Sequence, residues 1–292
     1  MSLDTWLQSQ GVLRKQKATT IKTLLGEQLS RNLRIGIDSN GGAFLILPKD
    51  SKNAEMAHAT HRLGVALLFA GLIVEAECLL LDAVDLLAFE VGETHKSTLA
   101  AAQTLAVLRA QSGRPLDAVP LFRDCLETYR ESFGNEDPDT LGAINNLAET
   151  LKKTGLCDEA ETLFREALAA YRRVVGSDHP DALGTMNNLI VLLHDGGRVE
   201  EEVELMREAA SAYDHVLGDD HPDTLAAKTR LADLLASTGD ASEAARVRAS
   251  MQRASSRPSR ALRPPAAPPK GNSMLRLLDM ASSSSVRTSV NR

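Results

Sequence analysis

Gly134-Asn135-Glu136-Asp137-Pro138-Asp139-Thr140-Leu141, Gly176-Ser177-Asp178-His179-Pro180-Asp181-Ala182-Leu183 and Gly218-Asp219-Asp220-His221-Pro222-Asp223-Thr224-Leu225 are one phrase written three times, 42 residues apart. A fourth copy without its proline, Gly92-Glu93-Thr94-His95-Lys96-Ser97-Thr98-Leu99, stands 42 residues upstream. A second glycine column keeps the same period: Gly71, Gly113, Gly155, Gly197 and Gly239. Two columns in phase define a tandem array.

Within one period the pattern is that of a helical hairpin. From Pro138, apolar residues at Leu141, Ile144, Leu147, Ala148 and Leu151 fall on one helix face. Proline at the first helical position, with Asp139 in the first turn, suits a helix start. Gly155 suits a left-handed C-terminal cap. A second helix then carries Ala160, Leu163, Phe164, Ala167, Leu168, Tyr171 and Val174 on one face, and Gly176 closes it. Small residues also hold columns: Ala76, Ala118, Ala160 and Ala244 in one, Ala83, Cys125, Ala167 and Ala209 in another. They let helices approach closely, and they explain how a chain with only 3% aromatic residues can build a core. The fourth pair departs from the rule, with Glu202 in the first of these columns and Ile190 in the column of Gly64, Ala106, Ala148 and Ala232.

Leu147-Ala148-x-x-Leu151, Gly155, Ala160, Phe164 and Ala167 match the spacing of the tetratricopeptide repeat. The 42-residue period, the His-Pro-Asp connector and Asn145-Asn146-Leu147-Ala148, with Asn187-Asn188-Leu189 repeating it, resemble the kinesin light chain branch of that family. The expected fold is an all-α solenoid of five helical pairs over residues 55–253, divided at 55–92, 93–134, 135–176, 177–218 and 219–253. Residues 1–54 are expected to cap it, with short helices at 3–10 and 18–31 and a β-hairpin over 35–47 around Asn40-Gly41. The end of the last helix passes into a basic tail, 254–292, whose Pro, Ser and Arg content predicts disorder. One apolar island interrupts the tail: Met274-Leu275-Arg276-Leu277-Leu278-Asp279-Met280.

The net charge of −6 conceals a division. Residues 1–53 hold 8 Lys/Arg and 4 Asp/Glu, residues 54–245 hold 15 and 34, and residues 246–292 hold 10 and the single acid Asp279. The body is acidic and the tail basic. No stretch is apolar for long enough to span a membrane. The amino terminus has no secretory pattern, and three cysteines provide no disulfide framework, so a reducing cytoplasmic setting is expected.

Chemistry finds little footing. The His-Pro-Asp tripeptide also marks the loop of J-domain cochaperones, but its periodic recurrence here makes it a repeat connector. No nucleophile elbow, zinc-protease helix or phosphate loop is present, so neither catalysis nor a cofactor is expected. His58 and His61, three residues apart, are expected to form a solvated helix face rather than a metal site, and Cys78, Cys125 and Cys157 to be small buried or half-buried residues. Glu200, Glu201, Glu202 and Glu204 suit a helix start.

What remains is a surface. In a solenoid the first helix of each pair lines the concave side. Its inward columns are His61/Gln103/Asn145/Asn187/Thr229, Arg62/Thr104/Asn146/Asn188/Arg230 and Val65/Val107/Glu149/Val191/Asp233. Resemblance to the light-chain repeats implies that such asparagines grip the backbone of an extended peptide. A primary amide offers both donor and acceptor to a peptide unit. Lys152, Lys153 and Arg230 would then favour acidic ligand residues. The expected peptide-binding set is Gln103, Asn145, Asn146, Glu149, Lys152, Lys153, Asn187, Asn188 and Arg230, in a non-enzymatic scaffold or adaptor with protein partners. No small-molecule substrate is expected, and nucleic acid is not favoured. Alternatives are a kinesin-associated cargo adaptor, against which residues 1–53 hold no sustained heptad, and a substrate-recruiting subunit of an enzyme complex.

Overall fold

A computed structural model describes residues 34–37, 43–46 and 53–255. The short helices expected at 3–10 and 18–31, the turn at Asn40-Gly41 and almost all of the tail lie outside the described residues. Strand β1 (Arg34–Ile37) pairs antiparallel with β2 (Ala43–Ile46) in the register Arg34↔Ile46 to Ile37↔Ala43, beginning one residue before the span expected for a hairpin.

Ten helices follow among the described residues: α1 (Asn53–Ala70), α2 (Ile73–Val91), α3 (Lys96–Gln111), α4 (Pro115–Phe133), α5 (Pro138–Lys153), α6 (Cys157–Val174), α7 (Pro180–Asp195), α8 (Val199–Leu217), α9 (Pro222–Ser237) and α10 (Ala241–Ser255). They fall into two compact units that divide between Gly134 and Asn135. In the first, α1 to α4 pack consecutively, α1 also touches α3, and β2 lies beside α2. In the second, α5 to α10 pack consecutively and α5 also touches α7. Neighbour-on-neighbour packing is the order of an α-solenoid.

Both ends of each hairpin are built by the repeated residues. At the end of α5, Gly155 takes φ +83°, a left-handed conformation that costs glycine nothing. Its N–H then reaches the Lys152 carbonyl at 3.1 Å and that of Leu156 reaches the Leu151 carbonyl at 3.0 Å, a Schellman closure. The same six-residue bond closes α1, α3, α7 and α9.

The connectors cap the next helix. Asp137 accepts from the Asp139 N–H at 2.9 Å, and at the same place His95, His179 and His221 each offer Nδ1 to the N–H two residues on, at 3.2 Å. An imidazole here does what the usual Asp or Ser does at an N-cap. Each of these three histidines also donates its own N–H to the carbonyl of the glycine three residues before it, which tightens the turn.

The core is aliphatic. Its largest fully buried side chains are Phe122, Phe164, Leu63, Leu67 and Leu79. Removing either phenylalanine to alanine would cost about 3–5 kcal/mol. The small columns allow the close packing expected of them. A Cβ on Gly64 would stand 2.8 Å from the Leu80 side chain, so α1 and α2 meet there with no room for more. Both departures of the fourth pair are absorbed in the interior: Ile190 is fully buried, and Glu202 is 3% exposed with its carboxylate 3.1 Å from His194 Nδ1.

The thiols correct an expectation. Cys125 is buried, but Cys78 and Cys157 are exposed, because they sit on outward positions of α2 and at the start of α6 rather than in the small-residue columns.

Candidate functional site

The candidate surface is built from the first helix of each pair. In the second unit these are α5, α7 and α9. Column arithmetic places Asn145, Asn187 and Thr229 at one register position and Asn146, Asn188 and Arg230 at the next. What packs around them divides them sharply.

Asn145 is 8% exposed, and its amide donates to the Thr185 hydroxyl at 2.9 Å. That hydroxyl in turn donates to the Asp181 carbonyl at 2.8 Å, so Asn145 ties α5 to α7. Asn146 is completely enclosed. Glu149 is likewise buried and pairs with Lys153 at 3.0 Å, one turn on. Asn187, half-buried, donates to the Tyr213 hydroxyl of α8 at 2.7 Å.

Three heads are left without such ties. Asn188 is half-buried and makes no hydrogen bond among the described residues. Arg230, exposed on α9 one period later, pairs with no carboxylate among them. Lys152 on α5 is half-buried and likewise unpaired there. A free primary amide and two free cations are groups that can still take a ligand's carbonyls and carboxylates.

The first unit holds Gln103 on α3, 8% exposed. Beside it the histidine expectation is corrected: His61 is half-buried rather than on a solvated face. Its Nε2 lies 3.0 Å from the Thr104 hydroxyl, whose own proton goes to the Ala100 carbonyl at 2.8 Å. Nε2 therefore carries the ring proton. Burial, reinforced by the charges of His58 and Arg62, lowers the His61 pKa from 6.5 to about 4. Among the described residues no group of three or more His, Cys, Asp or Glu is placed to hold a metal ion. Nor is any helix there long and apolar enough to cross a membrane.

The second helix of each pair carries something that residue types alone had not shown. Arg165 on α6 binds Glu201 on α8 at 2.6 Å, and Arg207 on α8 binds Glu243 on α10 at 2.6 Å, each reaching 36 residues ahead. Arg172 binds Glu208 with the same offset, and Arg198 reaches back to Glu161. Glu201 is held below its ordinary carboxylate range by the Arg198 guanidinium first and Arg165 second. In the first unit Glu77 binds Arg109 and Arg114 instead; burial raises its pKa, but the two guanidinia outweigh it and the carboxyl is held low. A cleft of about 370 Å³ opens beside the α6–α8 rungs over Leu168, Leu189 and Leu193. The signal was present in the sequence as Arg and Glu one helix-pair offset apart, but only once the second helices are known to neighbour one another does that offset mean contact.

These features define a class: an array of helical hairpins with capped connectors, whose repeat surfaces are its working parts. Residues 98–139, 140–181 and 182–223 each match the tetratricopeptide repeat family, so these three stretches are tetratricopeptide repeats with a 42-residue period. No curated protein matches the chain. Among solved structures it is similar to the nearly identical TPR-like repeats ascribed to a kinesin light chain of Podosopora anserina, at 24% identity and TM-score 0.60, covering 70% of this chain and 96% of that one. It is also similar to BtubC (BKLC) from P. vanneervenii, at 19% identity and TM-score 0.57, covering 86% and 94%. The apo form of RapI follows at 12% identity and TM-score 0.52, covering 71% and 85%. At these identities the likeness is one of fold.

Proposed function

We propose that the chain is a non-enzymatic adaptor that holds an extended peptide segment along the first helices of its repeats. The observation that carries this is the pair Asn188 and Arg230, which occupy one register position on successive first helices of the second unit and have no partner among the described residues. The amide takes the peptide backbone, and Arg230 with Lys152 selects for acidic side chains. Asn145, Asn187, Glu149 and Lys153 hold this surface in shape, and Asn146 lies beneath it; in the first unit Gln103 occupies the corresponding register position. The resemblance of the repeats to kinesin light chain repeats favours a role in tethering one protein to another within the cytoplasm.

Selection of peptides by the full chain from a random displayed library tests the reading. Acidic peptides should be enriched and should lose binding to an Asn188→Ala/Arg230→Glu variant whose helix content is unchanged. Peptides bound equally by that variant would overturn it.

A further inference from the structure

On α2 the outer face is apolar at two positions where α4, α6 and α8 are charged, and Leu116 of α4, at the position of Val74, is exposed as well. The position of Leu81 is Arg123 on α4, Arg165 on α6 and Arg207 on α8, and the position of Phe89 is Glu131, Arg173 and His215. On α2 the row Val74, Cys78, Leu81, Asp85, Phe89 runs at spacings of four, three, four and four, a single helix face. Val74 is 72% exposed, Leu81 42% and Phe89 85%. Beside them stand Glu75 and Asp82, which occupy the places taken by Glu201 and Glu208 in the Arg–Glu rungs. No cation among the described residues pairs with either. Asp82 is pushed above its ordinary pKa by burial and by the neighbouring Asp85. An apolar stripe with unneutralised acids along its edge is an interaction surface, and it asks for a segment that is both apolar and basic.

We propose that this face of α2 is the docking site for the chain's own segment Met274–Met280, which lies outside the described residues. Five of its seven residues are apolar, and at helical spacing Met274, Leu277 and Leu278 share one side. Arg276 brings a cation to Glu75 and Asp82, which pair with none among the described residues. The complementarity extends further. Helix α2 has five acids and no Lys or Arg, while residues 256–292 have seven Lys/Arg against one acid. Eighteen residues separate Ser255 from Met274, five of them proline, a length that would reach roughly 55 Å if fully extended. A second copy of α2 is the poorer occupant, because Asp82 and Asp85 would face their own equivalents across the contact.

Cys78 lies within the stripe and reports its cover, while exposed Cys157 serves as an internal standard in the same molecule. The full chain is labelled with a maleimide at low micromolar concentration, and the modification rate of each cysteine is read by peptide mass spectrometry. Replacing Leu277→Asp and Leu278→Asp together should raise the Cys78 rate about tenfold, as for a docked state favoured tenfold over the open one, and leave Cys157 unchanged. Phe89→Ser, at a side chain that carries no packing load, should raise it in the same way. A Cys78 rate that ignores the tail substitutions would overturn the proposal, whether the cysteine is free or covered by another part of the chain. A rate in the unaltered chain that rises on dilution would also overturn it and assign the face to a second copy.

Discussion

His61 makes the first unit acid-sensitive in a way that can be calculated. Its imidazole is neutral in the folded chain, with a pKa of about 4 against 6.5 when unburied. The unfolded chain therefore binds a proton first as pH falls. Stability from this group is complete above pH 6.5 and drains away as pH drops toward 4, below which both states are protonated. Integrating the linkage, the loss from about pH 7 to about pH 5 is on the order of 2 kcal/mol. His61→Gln isolates it, since glutamine keeps an N–H for the Thr104 hydroxyl and does not titrate. Urea denaturation of both proteins, followed by far-ultraviolet circular dichroism at the two pH values, cancels every other ionisable group in the difference. The variant should gain about 2 kcal/mol on the parent between the two conditions. Parallel losses in the two proteins would refute the burial argument.

The remaining predictions concern the repeats. His179→Ala should cost about 1 kcal/mol, whereas His179→Asp, the residue used at Asp137, should cost nothing measurable by thermal denaturation. His194→Ala leaves the buried Glu202 carboxylate unpaired and should cost about 1–3 kcal/mol in urea unfolding, most of it recovered by adding Glu202→Gln. The Cys125 thiol, pushed up to about 12 by burial with Asp124 adding to it, should resist a thiol reagent in the folded chain and react on denaturation. In a thiol count the native chain should therefore fall one short of the denatured one. Arg165→Ala, at an exposed rung, should cost only about 0.2–1 kcal/mol, and less as salt is raised.

The fold was legible because the repeats state their own boundaries. Gly155 and its column announce helix ends that only a left-handed residue closes, and Pro138, Pro180 and Pro222 announce starts. The cap at His179 was not legible as a cap, because histidine lies outside the usual capping set; only the bond from the Asp181 N–H reveals it. The site was less legible for a different reason. Counting by 42 fixes the angle at which a side chain leaves its own helix but not what meets it there. Asn146 and Asn188 share a column, yet one is enclosed and the other is half-buried with no partner among the described residues. Cys78 and Cys125 look alike in composition, but only Cys125 stands in a column that faces the next helix.

A repeat array turns one residue choice into a surface, and so its exceptions carry meaning. Arg at the position of Arg165 reaches a carboxylate 36 residues on, and the same choice at Arg207 repeats the bond. Such rungs hold successive hairpins in register while covering the outer face with charge. Where the choice is withdrawn, two outcomes are open. An interior exception must be compensated inside: Glu202 in an alanine column survives because His194 meets it. An exterior exception has nothing inside to answer it. Leu81 in place of arginine gives up a rung, and Phe89 in place of a charged residue leaves a ring in water with its burial energy unused. A contact there gains in proportion to the apolar area it covers, which is the physical basis of the docking proposed for the α2 stripe.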